Sequence, residues 1–312
     1  MMIPSIKCSM LYTTDEEVKA IRQVFGLTEE DMQERVDAVM EWLQKQPHLV
    51  HLDISRTIVN MMIIIGKGSI ERTKEKIDNF YKYRSMSPEL FQHRKHLICS
   101  TDKIWDFYTI VTVPKLHENR RIAIVNFEEG LSKFDGEEYF RKLTMLLDLR
   151  MIYDYMAGDI WIVDFKHVGW AQIIGQNPLV LKKIATFFTK ALNWRIYGIH
   201  VLNIAGPAHI VQRVIDFFKQ FISSVIMDRV VVHDSLEDMY KYVPRECLPE
   251  DYGGNQLSTR KLTEIAEDFY KHPEIKEYLL ECSKMTSNES LRPKDENSED
   301  YLPGSFRQLQ VD

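Results

Sequence analysis

Few residues in this chain have the type and spacing that chemistry demands. Asp164 closes an apolar run at Ile160–Phe165, and His200 lies inside another at Ile196–Asn203. An acid at a strand end or an imidazole within a strand is where an α/β fold draws acid–base groups. A hydrogen-bonded structural role is the expectation for both here, because no nucleophile or metal pattern accompanies them. Gly66-Lys67-Gly68-Ser69-Ile70-Glu71 has a Gly-x-Gly pair but lacks the third glycine, and it precedes the β-rich region. A dinucleotide loop needs the reverse order, strand and then glycines. No Gly-x-Ser-x-Gly elbow and no Walker loop occur. His93, His96 and Cys99 lie three apart, but no second close pair completes a metal site. The reading is of no catalytic residues, no metal and no cofactor: a protein that is not an enzyme.

Composition supports a large core. Hydrophobic residues make up 45% of the 312 and charged residues 28%, an ordinary globular balance. Forty Lys and Arg against 46 Asp and Glu leave a net charge of −6. A mildly acidic chain has no general attraction for nucleic acid, so no nucleic-acid partner is expected and any membrane contact must be local and transient. Cys8, Cys99, Cys247 and Cys282 are scattered without Cys-x-x-Cys spacing, the usage of reduced thiols in a cytoplasmic protein. Residues 1–7 lack the apolar core of a signal peptide. The run Met61–Ile65 is far below the roughly 18 apolar residues of a membrane span. A monomer is expected.

The elements that must position any site change character along the chain. Thr28 with Asp31 opens a helix whose Met32, Val36, Val39, Met40 and Leu43 mark one face, and Pro47 ends it. A second helix is predicted over about 55–65, and Ser69 caps a third carrying Ile70, Ile77, Phe80 and Tyr81 inward. β-rich runs then appear at Ile104–Val113, Arg121–Phe127, Ile160–Phe165, Ile196–Asn203 and Val230–His233. Helical patterns near Glu137–Met156, Leu179–Asn193 and His209–Ile226 separate the later ones. That rhythm predicts an α/β domain with a mainly parallel five-stranded sheet. The predicted organisation is an N-terminal segment 1–27, a helical lobe 28–85, an α/β domain 86–256, C-terminal helices 257–283 split at Pro273, and a flexible polar tail 284–312.

Four segments resemble the CRAL-TRIO lipid-binding family. They are Gly158-Asp159-Ile160-Trp161-Ile162-Val163-Asp164, Tyr197-Gly198-Ile199-His200-Val201-Leu202-Asn203, Asp228-Arg229-Val230-Val231-Val232-His233 and Leu248-Pro249-Glu250-Asp251-Tyr252-Gly253-Gly254. The leader Arg72–Tyr81 with Arg84 is similar to the family's helical lobe, and Gly304–Leu309 resembles its arthropod tocopherol-transfer-like branch. The resemblance implies a sheet flooring a lipid cavity that a mobile helix closes. One hydrophobic molecule, such as a tocopherol, retinoid, carotenoid or other terpenoid, would be held there and exchanged at membranes. A phosphoinositide-dependent membrane adaptor or phospholipid transfer protein is the alternative.

Residues 210–226 fit such a lid. Their apolar side chains, including Ile210, Val211, Val214, Phe218, Phe221 and Ile222, cover about half the helix circumference. An ordinary surface helix shows a stripe of about 100°. A deeply packed core helix gives the same pattern, so periodicity leaves both open. The resemblance further aligns Met145, Val163, Ile184, Phe187, Phe188, Leu192, Trp194, Ile196 and Ile199 with cavity-lining positions. The family's basic cluster for phosphoinositide headgroups is half missing: Arg195 and Arg229 remain, but Tyr197 and Val225 replace basic residues.

Overall fold

Side-chain caps start the helical lobe. In this computed structural model, which describes residues 2–100, 108–129, 135–168, 172, 175, 177–192, 194–204, 208–220 and 222–293, only the backbone is described at 208–211, 214 and 218. Thr14 and Glu17 form a reciprocal capping box that opens α1 (Asp15–Val24), a helix within the segment left unassigned above. Thr28 and Asp31 do the same for α2 (Glu29–Gln44), as predicted. Ser55 and Ser69 cap α3 (Arg56–Ile65) and α4 (Ile70–Ser85). Each cap satisfies a backbone N–H that has no partner inside its helix. The predicted stripe of α2 is the buried one: Met32, Val36, Val39 and Leu43 are all buried. Two single-turn helices, α5 (Pro88–Phe91) and α6 (Lys95–Ile98), lead toward the sheet.

The sheet runs β1 (Tyr108–Thr112), β2 (Arg120–Phe127), β3 (Gly158–Asp164), β4 (Ile196–Leu202) and β5 (Val230–Val232), in that spatial order. β1 pairs antiparallel with β2, and the remaining neighbours are parallel. This is the mainly parallel five-stranded α/β arrangement expected. The crossovers carry α7 (Gly136–Tyr153), α8 (Pro178–Thr186), which continues as a π-helix over Phe187–Leu192, and α9 (Ala208–Lys219) with the short α10 (Ser224–Met227). Right-handed crossovers between strands laid down in one direction place their helices on one face. The single helix expected at 209–226 is thus two, with Ser223 extended between them. The 104–107 part of the first predicted strand lies outside the described residues.

α7 crosses this face and is buried along most of its length. Toward its C-terminal end it carries two groups of buried ion pairs, on opposite sides of the helix. Asp148 meets Arg84 at 2.7 Å and Arg94 at 2.8 Å, all three buried. Arg150 reaches Asp154 at 2.7 Å and Asp159 of β3, and Arg121 of β2 reaches Asp154 at 2.8 Å. Burial alone would raise the Asp148 carboxyl, yet Arg84 and Arg94 outweigh it and hold that group below the usual range. At Asp159 burial prevails over Arg150, and its carboxyl is held above that range.

Past the sheet, α11 (Leu236–Met239) is followed by α12 (Thr259–Lys271) and α13 (Pro273–Lys284), divided at Pro273 as predicted. The predicted flexible tail is corrected over 285–293. Met285 is buried, its carbonyl accepts from Arg84 Nε at 3.0 Å, and Arg292 pairs with Asp78 at 2.6 Å. Residues 294–312, with the Gly304–Leu309 motif, lie outside the described residues.

Candidate functional site

One face of the N-terminal half of α7 meets a void. A cavity of about 320 Å³ lies between α7, α8, the sheet and the segment entering β5. From α7 it takes Gly136, Tyr139, Phe140 and Leu143, which share one helical face. Asp135 caps that end, accepting from the N–H groups of Glu137 and Glu138. From α8 it takes Leu181, Ile184 and Ala185, with Phe188 and Thr189 from the π-helical continuation. The sheet contributes alternate residues, Val125 and Phe127 of β2 and Trp161 and Val163 of β3, with Phe165 and Val168 beyond the strand.

Ile196 and Ile199 of β4 also line the cavity, although three residues apart they would face opposite ways on a regular strand. A bulge resolves this: Asp159 pairs with Ile196 but Ile160 with Gly198, so Tyr197 is an extra residue and the alternation resets. Ile222 and Ile226 complete the described wall. Among the described residues, almost none of the surface facing the cavity is nitrogen or oxygen. The Thr189 hydroxyl donates to the Ala185 carbonyl at 2.8 Å, which turns its proton into the helix.

Comparison with known proteins agrees with this architecture. Residues 110–254 match the CRAL/TRIO domain, and residues 28–97 match the Pinta-like UBA domain. Residues 110–254 are thus similar to a CRAL/TRIO domain. Over 258 residues it is 20% identical to an alpha-tocopherol transfer protein-like protein of Homo sapiens, covering 80% of this chain and 72% of the relative. The Mus musculus protein of the same description is 20% identical over 281 residues, covering 86% and 79%. A crystal structure of Sfh5 superimposes with a TM-score of 0.47 at 13% identity, covering 80% of this chain and 92% of that one.

The cavity gathers six of the residues singled out from the sequence: Val163, Ile184, Phe188, Ile196, Ile199 and Ile222. Four others lie elsewhere. Met145 is two residues past Leu143, about 200° round α7, and is fully buried in the core. Phe187 turns to the other side of its helix, with its ring 4.9 Å from that of Phe91 and 5.8 Å from that of Phe80. Leu192 is core, and the indole of Trp194 lies 4.4 Å beneath the Arg150 guanidinium. The side chains of Ile210, Val211, Val214 and Phe218, and the whole of Phe221, lie outside the described residues. Sequence reading missed the wall residues of β2, Trp161 and Phe165, although strand alternation around Val163 points to them.

The two arginines kept from the family's basic cluster are engaged locally. Arg229 donates through Nη1 to the Ile196 carbonyl, which ties the entry of β5 to β4. Arg195 is exposed with its guanidinium 4.4 Å from the Tyr197 ring, and Arg120 lies 3.6 Å from that ring.

The domain's other sequence motifs serve the frame of the site. Asp164 accepts from Asn203 Nδ2 at 2.8 Å, the Lys166 N–H at 3.0 Å and the Tyr252 hydroxyl at 3.1 Å. One carboxylate thus joins the ends of β3 and β4 to the Leu248–Gly254 motif. Gly253 has φ +71°, and a Cβ on Gly254 would come within 1.9 Å of the Leu248 carbonyl oxygen, so this turn requires both glycines. His200 and His233 lie on the opposite sheet face, with Nδ1 and Nε2 2.9 Å apart. Burial, with His233 beside it, lowers the His200 pKa to about 4.

Proposed function

We propose that this protein binds one hydrophobic small molecule in the CRAL/TRIO cavity and transfers it between membranes. The observation that carries this reading is the wall itself: a space of about 320 Å³ with apolar side chains on every described side. A ligand entering it leaves water at a gain of about 0.8 kcal/mol per buried CH₂. The similarity to alpha-tocopherol transfer protein-like proteins supports a terpenoid-like guest and a transfer role. In this reading α9 and α10 form the moving cover, because Ile222 and Ile226 meet the void beside Val225, which is 60% exposed. In this reading the membrane is a surface visited during exchange; among the described residues no helix is long and apolar enough to cross one. The phosphoinositide-adaptor alternative has less support, since Arg229 is tied to the backbone of β4.

The test is mass spectrometry of organic extracts from the purified full chain, followed by transfer of the recovered lipid between vesicles. A stoichiometric apolar molecule that moves faster with protein is expected. Ile199→Trp, which places an indole in the cavity, should cut retention at least tenfold while the protein stays folded. Empty protein that takes up no terpenoid at all would overturn the reading.

A further inference from the structure

The chemistry of the wall also restricts which hydrophobic molecules fit. We infer that the cavity selects guests that present only hydrocarbon to it, and discriminates against carbonyl and carboxylate groups within the buried part; this rests on the function proposed above and narrows its substrate class. Three observations converge.

The first is the near absence, among the described residues, of nitrogen and oxygen on the surface facing the cavity. Tyr139, Trp161 and Thr189 bring polar groups to the described wall, yet little nitrogen or oxygen surface faces the space. Tyr139 stacks edge-on against Tyr108 at 5.1 Å, and burial pushes its phenol pKa up, so it stays neutral.

The second is the commitment of the Thr189 proton. Its hydroxyl donates to the Ala185 carbonyl, one turn back in the same helix. The oxygen then has only acceptor capacity to offer. A carbonyl or carboxylate on a guest, which also only accepts, finds no complement there.

The third is size. About 320 Å³ is at the small end of the roughly 300–1,000 Å³ usual for ligand sites. A single terpenoid chain suits it better than a two-chain phospholipid. Every CH₂ such a chain buries tightens binding about fourfold, whereas one unpaired hydroxyl or carbonyl loosens it about tenfold or more. A polar end is therefore tolerated only where it stays outside.

A matched series tests this on the full-length protein: farnesene, farnesol and farnesoic acid, with the bound fraction measured by mass spectrometry after gel filtration at pH 7. Farnesene should bind at least tenfold tighter than farnesol, and farnesoic acid should bind weakest. Thr189→Val should leave that order unchanged. Val163→Thr, which adds a hydroxyl to the wall, should narrow the gap between farnesol and farnesene severalfold. Thermal melts of both variants confirm that they are folded. Equal binding of all three compounds, or tighter binding of farnesol or the acid, overturns the selectivity and leaves the carrier function standing. Binding of none of the three overturns both.

Discussion

The two halves of α7 are packed in opposite ways. Its C-terminal half carries buried ion pairs on two sides: Arg150 meets Asp154 and Asp159 against the sheet, and Asp148, about 200° round the helix, meets Arg84 and Arg94. Its N-terminal half presents Tyr139, Phe140 and Leu143 to open space. Alternate residues of β3 serve both: Asp159 pairs with Arg150, and Trp161 and Val163 floor the cavity. The difference teaches where rigidity and vacancy each belong. A buried ion pair has little tolerance for movement, because either partner left alone is an uncompensated charge. An apolar wall tolerates a changing guest, because its attraction is non-directional. The ion pairs fix the helix so that the other end can stand away from the sheet.

The comparison is most exposed to failure at Asp148. Asp148→Ala leaves Arg84 and Arg94 buried without their carboxylate, and urea unfolding should show a loss of about 3–5 kcal/mol. A loss below about 1 kcal/mol would mean that these ion pairs do not hold the helix.

Next comes a pair of adjacent phenylalanines. Phe187 is packed in the core and Phe188 lines the cavity. Phe187→Ala should cost about 3 kcal/mol and leave the size of the bound molecule unchanged. Phe188→Ala should cost less and admit a bulkier guest, read by unfolding and by competition with terpenoids of rising size. Equal costs with equal ligand effects would erase the distinction between core and wall.

Acid should separate fold from cavity. The folded His200 pKa of about 4 lies below the ordinary value near 6.5, so the unfolded chain binds more protons between these limits. This contribution to stability is complete above about pH 6.5 and is lost as pH falls toward 4. At pH 5 the decrease should be about 2 kcal/mol relative to pH 7, and His200→Gln should flatten the profile. Among the described wall residues the ionisable group is Tyr139, whose pKa is raised. Affinity for an uncharged guest should therefore stay level from pH 5 to 8.

The smallest expected effect lies at the cavity end of α7. Asp135→Ala removes the acceptor for two N–H groups and should cost about 1 kcal/mol, measured by thermal melting. A weaker grip on the guest should accompany it, since Gly136 and Tyr139 follow directly.

Much of this molecule was legible in its sequence, because periodicity and capping act over neighbouring residues. The stripe of α2, the strand–helix alternation and the break at Pro273 all follow from local chemistry. Six residues of the cavity came instead from the family resemblance, which aligned five of them with lining positions and set Ile222 in a lid. The α1 helix was also readable from its Thr14–Glu17 box, although its apolar pattern is too sparse to announce it.

Other features depended on how distant parts meet. Phe187 and Phe188 are equally apolar, and only α4 and α5 packing against one side of their helix decides which touches the void. Ile196 and Ile199 share a face because of a bulge at Tyr197, which appears only when β4 is set beside β3. The polar 285–293 segment is anchored because Arg84 and Asp78 lie where they can hold it. Sequence determines which side chains avoid water, since hydrophobicity belongs to the residue; whether they then meet each other or enclose a space is a property of the assembled volume, and the tertiary structure alone decided that.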